Sequence, residues 1–187
     1  MPDRDETFSE KERRLLEIIK RKSLLRGNFE LASGAMSHYY LDLKPTTFDP
    51  EAARLIGDII FERLKSEPDV AGIGGLELGA VPIVSSVIQR SWPERPLPGF
   101  VVRKERKGHG TDKRIDGSFE PNTAVVLIED VTTKGGSVMQ AVRAVRAQGA
   151  TVKRVVTIVD RLEGAQDALR KEGIELVPIF TTRDVLG

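Results

Sequence analysis

Hydrophobic residues recur along the N-terminal part of the chain with the spacing of amphipathic helices. This spacing predicts a first helix over about residues 9–26, ended by Gly27, and a second helix that begins after Asp49 and ends before Pro68. Between the two helices, residues 29–43 contain turn residues and predict two short strands. The N-terminal part is therefore expected to form a helix, a strand pair and a second helix.

From residue 70 onward, short apolar runs alternate with amphipathic segments. The apolar runs predict strands at about 70–74, 100–103, 124–128, 155–159 and 175–180, and the amphipathic segments predict helices at about 81–90, 137–148 and 164–171. Strands that alternate with helices indicate βαβ units and a mainly parallel central sheet flanked by helices. The predicted fold class is α/β, in a single domain of 187 residues.

Composition and charge exclude several classes of protein. The 29 basic residues nearly balance the 28 acidic ones, which argues against a globally basic nucleic-acid binder. Because the chain has no cysteine, it has no disulfide, thiolate nucleophile or zinc–thiolate site. No apolar run is long enough to span a membrane, and the charged N-terminus lacks the apolar core of a signal peptide. We therefore expect a cytoplasmic protein that binds neither nucleic acid nor membrane.

A glycine-rich turn follows the most apolar predicted strand. Residues 125–137 read VVLIEDVTTKGGS, so a buried strand ends in two acids and a turn of hydroxyls and glycines leads into a helix. Glycines let a ligand approach the backbone, and a helix N-terminus presents unpaired N–H groups to an anion. The acids Glu129 and Asp130 suit sugar hydroxyls or a magnesium ion. The pattern favours a sugar phosphate, although an ordinary capped turn with solvated acids has similar residues.

Two further segments are candidates for the same site. Residues 74–80 form a second glycine-rich turn, which either presents N–H groups to a diphosphate or is a close-packed corner. Residues 103–117, which we call the polar loop, carry a cluster of cations around His109. The polar loop is either a solvated surface loop or a mobile lid that closes over a diphosphate. A nucleic-acid patch is disfavoured because no aromatic residues interleave the cations.

These motifs resemble those of a known enzyme family. Residues 125–137 are similar to the 5-phosphoribosyl diphosphate (PRPP) motif of type I phosphoribosyltransferases. The run RKERKGHG at residues 103–110 resembles the catalytic loop of orotate phosphoribosyltransferases. Residues 29–44 resemble the hood of that family, the small unit that covers its active site, and residues 159–164 resemble its base-binding segment. The resemblance extends from about residue 15 to the C-terminus.

The resemblance implies a fold, a reaction and a set of partners. The fold would be the type I phosphoribosyltransferase fold, with a hood from about residues 1–45 plus the C-terminal segment and a core from about residues 46–173. The enzyme would be a pentosyltransferase of pyrimidine (UMP) biosynthesis that converts PRPP and orotate to orotidine 5′-monophosphate and diphosphate. Magnesium (Mg2+) would arrive on PRPP without a direct protein ligand. A homodimer would share the polar loop between subunits, with Lys104 contributed across the interface.

By position in the motifs, the resemblance assigns roles to individual residues. Those implied in binding PRPP are Arg103, Lys104, Lys107, His109, Glu129, Asp130, Val131, Thr132, Thr133, Lys134, Gly135, Gly136 and Ser137. Within this set, Glu129 and Asp130 would hold the ribose hydroxyls, residues 132–137 would cradle the 5′-phosphate with added hydroxyl donors, and the loop cations would bind the departing diphosphate. The residues implied in catalysis are Lys104, Lys107, His109 and Asp130.

Orotate recognition is implied for two residues, Thr133 and Arg161. A guanidinium can pair with a carboxylate through two parallel hydrogen bonds, which suits the 6-carboxylate of orotate. The alternative for Arg161 is a surface ion pair with Glu163 or Asp160.

Two departures from the family pattern keep other functions open. Ala32 stands where many members have a lysine that reaches PRPP, and Glu77 places a carboxylate near the expected diphosphate, where it could hold magnesium or point to solvent. The alternatives are a type I phosphoribosyltransferase for a purine base and a PRPP-sensing regulator on the same fold. The polar loop and Arg161 argue against the first, and the small net charge argues against the second.

Overall fold

The structure, a computed structural model, describes residues 9–30, 36–105 and 114–187. The helices are α1 (Glu10–Lys22), α2 (Lys44–Thr47), α3 (Pro50–Leu64), α4 (Ala80–Ser91), α5 (Gly136–Arg146), α6 (Ala165–Arg170) and α7 (Thr182–Leu186). The strands are β1 (Leu24–Glu30), β2 (Met36–Leu41), β3 (Gly72–Leu76), β4 (Gly99–Val102), β5 (Ile115–Gly117), β6 (Ala124–Thr132), β7 (Thr151–Asp160) and β8 (Glu175–Thr181). Within these ranges, no helix combines the length and the apolar character needed to cross a membrane.

The central sheet has six strands in the order β5-β4-β3-β6-β7-β8, and β1 and β2 form a separate antiparallel hairpin. Neighbouring strands of the sheet are parallel except for β4 and β5. The predicted α/β class with a mainly parallel sheet is therefore confirmed. The strand order changes direction between β3 and β6, because the chain continues outward to β4 on one side and to β7 on the other. Ligands of such sheets bind beyond the strand ends at this switch point.

Strand β6 is covered on both faces, which explains its unbroken apolar run. Val126 and Ile128 belong to the core that contains α1, α3 and α4, whereas Val125 and Leu127 belong to the core that contains α5 and α6. Successive side chains of a strand point to opposite faces, so cover on both faces calls for an apolar residue at every position. Burying one such side chain contributes about 1.5–3 kcal/mol. The strand is therefore a rigid support for Glu129 and Asp130, which lie in its C-terminal half.

The first helix is shorter than its hydrophobic pattern predicted. Helix α1 ends at Lys22, and the chain continues as β1, in which Leu24 pairs with Leu41 of β2. Leu25, assigned to the apolar stripe of the helix, is 51% exposed on this strand. The prediction of helix through residue 26 was wrong because the hairpin partner lies outside the local window that helical spacing samples.

Most other elements agree with the sequence pattern. Helix α3 begins as predicted, since the Asp49 carboxylate accepts hydrogen bonds from the N–H groups of Glu51 and Ala52. Three short elements, α2, β5 and α7, were not predicted. Each has five residues or fewer, too few to show a hydrophobic period.

The hairpin and the C-terminal helix are linked, as a hood built from both ends of the chain would require. Arg26 of β1 donates a hydrogen bond to the carbonyl of Leu186 at 3.3 Å. Helix α1, in contrast, contributes Leu15 and Ile19 to the same core as α3. The exact boundary between hood and core stays a prediction.

Candidate active site

A cleft of about 320 Å³ lies between the turn after β3 and the C-terminal half of β6. Its lining residues are Lys44, Leu76, Glu77, Leu78, Gly79, Lys104, Glu129, Asp130, Val131 and Ser137. The cleft therefore brings together the two glycine-rich turns and the start of the polar loop, three segments that are distant in sequence. Their common location follows from the adjacent positions of β3, β4 and β6 in the sheet.

The two acids at the end of β6 have different surroundings. Glu129 is 6% exposed, and its Oε2 has no hydrogen-bond partner among the described residues. Its Oε1 accepts a bond from the N–H of Asp130 at 3.2 Å, while Asp130 Oδ1 accepts one from the N–H of Val131 at 2.7 Å. Burial, together with the adjacent Asp130 carboxyl, raises the pKa of Glu129 well above its usual range. A buried oxygen without a donor suits the hydroxyl of a ligand.

The variant Glu129→Gln is expected to remove a pH dependence of stability. Because the pKa of Glu129 is raised in the folded state, its protonated carboxyl stabilises the fold below the ordinary pKa of glutamate, and this contribution is lost as the pH rises through the raised value. At about pH 8 the variant should exceed the parent by about 1–2 kcal/mol in free energy of unfolding, and at about pH 4 the two should agree. Urea unfolding at both pH values measures the difference.

The exposed Glu120 provides a matched control for that experiment. Glu120→Gln removes one carboxylate without changing a buried group, so it should leave the stability difference between the two pH values as in the parent. If Glu129→Gln behaved like this control, burial of the ionised Glu129 carboxylate would not lower the free energy of unfolding.

The turn after β6 encloses a smaller hollow that suits a phosphate. Its lining residues are Glu129, Val131, Thr132, Thr133, Gly135, Gly136, Ser137 and Val138. Gly135 precedes α5 with φ of +84°, and no side chain of the described residues caps this helix. The first N–H groups of α5 are thus available to an anion. Glycine is favoured at residue 135 because other residues rarely adopt this left-handed conformation.

The hydroxyl of Thr132 does not offer a hydrogen-bond donor to this hollow. Thr132 is 2% exposed, and its Oγ1 donates to Asp160 Oδ1 at 2.9 Å. A hydroxyl has a single proton to donate, so this bond uses it. The expectation that Thr132 adds a hydroxyl donor to the phosphate was wrong, since its partner on β7 is not visible in the motif. Thr133 and Ser137 line the hollow, and Lys134 between them is exposed.

The polar loop has a hydrogen-bonded stem. The N–H of Arg103 donates to the carbonyl of Arg114 at 2.9 Å, and the Arg103 guanidinium pairs with Asp116 of β5 at 2.5 Å. The side chain of Arg103 is therefore held at the stem, whereas that of Lys104 lines the cleft.

Lys104 lies in the cleft of its own chain. It lines the cleft with Glu129 and Asp130, and its positive charge opposes the rise in the pKa of Glu129 that burial causes. This placement differs from the expectation that Lys104 is contributed across a dimer interface. The other two loop residues implied in catalysis, Lys107 and His109, lie outside the described residues.

Arg161 follows β7 and is held next to the turn after β6. Its backbone N–H donates to the carbonyl of Thr132 at 2.9 Å, and its side chain is only 10% exposed. Its Nε lies 2.8 Å from Glu163 Oε1 but makes no hydrogen bond among the described residues. The ion pair considered as an alternative role is thus present. The ion pair leaves the Arg161 Nε–H without a hydrogen-bond acceptor among the described residues, and a ligand carboxylate could accept that bond.

Sequence reasoning assigned no role to two residues near the site. Tyr39 of β2 lies under Arg161, with 5.1 Å between the guanidinium carbon and the ring centre, a cation–π contact. Lys44 lines the cleft and pairs with Asp42 at 2.7 Å, and this pairing raises the pKa of Lys44. The sequence feature that could have identified both residues is their position in residues 29–44, the segment that resembles the hood.

Known proteins resemble this chain over nearly its whole length. A family model described as phosphoribosyl transferase domain matches residues 46–180. The orotate phosphoribosyltransferase of Methanocaldococcus jannaschii is 43% identical over 177 residues, which cover 94% of this chain and 97% of that protein. An orotate phosphoribosyltransferase of Bradyrhizobium is 44% identical over 178 residues, covering 92% and 96%. The chain belongs to the orotate phosphoribosyltransferase family.

A solved structure of an orotate phosphoribosyltransferase supports this assignment. The Mycobacterium tuberculosis enzyme in complex with PRPP has a TM-score of 0.80 to this chain and 34% sequence identity, and the match covers 95% of this chain and 99% of that one. Membership of the orotate phosphoribosyltransferase family confirms the predicted fold and the predicted enzyme class.

Phosphoribosyltransferases generally use magnesium with PRPP, and the cleft can be tested for its fit to that ion. In the part of the chain that the structure describes, no group of three or more acidic or histidine side chains could hold a metal by itself. The acids at the end of β6 nevertheless offer the unpaired Glu129 Oε2 and the carboxylate of Asp130. Magnesium is often bound by one or two carboxylates together with substrate phosphates. The residues therefore fit an ion that arrives with its substrate.

Proposed function

We propose that the protein transfers the 5-phosphoribosyl group of PRPP to orotate, forming orotidine 5′-monophosphate and diphosphate. The observation that carries the proposal is the placement of Arg161 beside a turn that suits a ribose phosphate, with its side chain only 10% exposed and its Nε without a hydrogen bond among the described residues. One side of the site thus matches an anionic base, and the other matches PRPP. The names of the relatives described above support the same reaction.

The ribose phosphate would be held by the end of β6 and the start of α5. Glu129 Oε2, which has no partner in the described ranges, and the Asp130 carboxylate would accept hydrogen bonds from the ribose hydroxyls. The N–H groups of the first turn of α5 would bind the 5′-phosphate. Thr133, which lines the hollow of the same turn, would contact orotate together with Arg161.

Catalysis would come from positioning and charge stabilisation. The bond between the anomeric carbon and the diphosphate oxygen breaks, its electrons leave with diphosphate, and N1 of orotate, after losing its proton, bonds to the same carbon. Negative charge on the diphosphate would be stabilised by Lys104 and Lys44, which line the cleft, and positive charge on the ribose by the Asp130 carboxylate. Magnesium, when bound, would neutralise part of the diphosphate charge.

The remaining parts of the proposal rest on the family resemblance. Mg2+ would arrive on PRPP. The protein would be a cytoplasmic homodimer that shares the polar loop between its subunits.

The loss of orotate absorbance tests the proposed reaction. With purified protein, we expect absorbance to fall only when PRPP, magnesium and orotate are all present. Turnover of hypoxanthine or guanine in place of orotate would identify a purine phosphoribosyltransferase. Binding of PRPP without turnover of any base would identify a regulator, and either result would overturn the proposal.

The variant Gly79→Ala is expected to weaken catalysis with little effect on stability. A Cβ at residue 79 would lie 2.6 Å from the carboxyl atoms of Asp130, although the backbone there has an ordinary helical conformation. Because the Asp130 carboxyl can turn away, kcat/KM for PRPP should fall at least about tenfold while Tm changes by less than about 4 °C. Steady-state kinetics and thermal melting measure both quantities. An unchanged kcat/KM would show that the position of the Asp130 carboxyl does not affect catalysis with PRPP.

A further inference from the structure

Glu77 connects the turn after β3 to the start of the polar loop. Its backbone N–H donates to the carbonyl of Val102 at 2.9 Å, and its carboxylate Oε1 accepts a hydrogen bond from the backbone N–H of Lys104, also at 2.9 Å. Glu77 thus forms hydrogen bonds with Val102 and Lys104, the residues before and after Arg103, at the point where the chain leaves β4. Neither role considered from the sequence, a magnesium ligand or a solvent-facing acid, describes this contact.

A carboxylate in this cleft requires an explanation. Glu77 is half-buried and lines the cleft in which the proposed diphosphate would lie, and like charges repel. Its bond to the Lys104 N–H is charge-assisted, and such bonds are roughly twice as strong as neutral ones. The carboxylate is therefore well suited to hold a backbone segment that has no sheet partner on that side.

The two sides of the loop stem are held by different contacts. Arg103 is paired with Arg114 and Asp116, on the side of β5. Glu77 holds the next residue, Lys104, on the side of β3. Because the direction of a side chain depends on its backbone, a contact that holds the Lys104 backbone also constrains the direction of the Lys104 side chain.

We propose that Glu77 is a positioning residue that fixes the backbone of Lys104 and so directs the lysine into the cleft beside Asp130. Glu77 acts through Lys104 and does not need to touch the substrate. The expected effect on turnover rests on the proposed function, whereas the contact with Lys104 does not.

A pair of variants separates this role from a purely structural one. Glu77→Ala removes the acceptor, and Glu77→Gln keeps an oxygen that can accept the same bond. We expect Glu77→Ala to lower kcat by about tenfold with a change in KM for PRPP below about threefold, and Glu77→Gln to keep at least about half of the parent kcat. If Glu77→Gln were as poor as Glu77→Ala, the hydrogen bond would not be the cause.

A double variant tests whether Glu77 acts through Lys104. In a Lys104→Ala background, Glu77→Ala should lower kcat no further, because both changes remove the same group from the cleft. Independent losses that multiply in the double variant would overturn the proposal. A rise in the magnesium concentration needed for half-maximal rate, equal in Glu77→Ala and Glu77→Gln, would identify Glu77 as a metal ligand and would overturn the proposal as well.

Amide hydrogen exchange provides a readout that does not need turnover. The Lys104 N–H should be protected in the parent and in Glu77→Gln, and should exchange at least about tenfold faster in Glu77→Ala. If this pattern appeared in a protein that does not consume orotate, the proposed function would fail and the contact would stand. Equal exchange in the three proteins would overturn the positioning role.

Discussion

Lys104→Ala is expected to lower kcat by about two to three orders of magnitude while the Kd for PRPP changes by less than about tenfold. Lys104 lines the cleft in which negative charge would develop on the departing diphosphate. A group that stabilises charge formed in the transition state affects kcat more than ground-state binding. PRPP would keep its contacts with the acids of β6 and the N-terminus of α5, which explains the small change in Kd.

Steady-state kinetics and calorimetric titration of PRPP measure these two effects. The matched control is Lys20→Ala, which removes an exposed lysine from α1, away from the cleft. It should change neither quantity by more than about twofold. An unchanged kcat for Lys104→Ala would remove this lysine from the mechanism.

Mixed dimers would show which subunit supplies each loop residue. Because Lys104 lines the cleft of its own chain, mixing Lys104→Ala with Asp130→Asn leaves one defect in every site and should restore no activity. If Lys107 reaches the partner, as the family resemblance implies, mixing Lys107→Ala with Asp130→Asn should restore up to about a quarter of the parent activity, since random mixing makes half of the dimers mixed. Rescue in the first mixture would show that Lys104 crosses the interface.

The parts of the site that could be predicted from the sequence are those encoded locally. The apolar run before Glu129 shows a doubly covered strand, and the glycines after it show where the backbone must turn sharply into a helix. The rule that ligands bind beyond strand ends then selects the turns after β3 and β6 without any knowledge of side-chain packing. Motif similarity adds the chemistry of the ligand.

The remaining features depend on partners far away in the sequence. The Thr132 hydroxyl is occupied by Asp160 on the neighbouring strand, and β1 forms only because β2 pairs with it. The bond between Glu77 and Lys104 likewise exists because β3 and β4 are adjacent. Periodicity and motif spacing sample only short windows, so they contain no information on these pairs.

Arg161→Lys is expected to impair the use of orotate and not that of PRPP. Lysine keeps the positive charge but loses the planar fork that pairs with a carboxylate through two hydrogen bonds. Arg161 lies against the ring of Tyr39, and its buried Nε makes no hydrogen bond within the part of the chain that the structure describes. We expect kcat/KM for orotate to fall at least about a hundredfold while KM for PRPP changes less than about threefold. Initial rates with each substrate varied in turn measure both.

The ion pair between Arg161 and Glu163 supplies the control for this prediction. If Arg161 served only that pair, Glu163→Gln would reproduce the loss seen in Arg161→Lys. Glu163 is partly exposed, so water screens its charge, and its removal should alter kcat/KM for orotate by less than about threefold. Equal losses in the two variants would mean that Arg161 stabilises the end of β7 through Glu163 and does not bind the base, whereas a loss confined to Arg161→Lys assigns the guanidinium to the carboxylate of orotate.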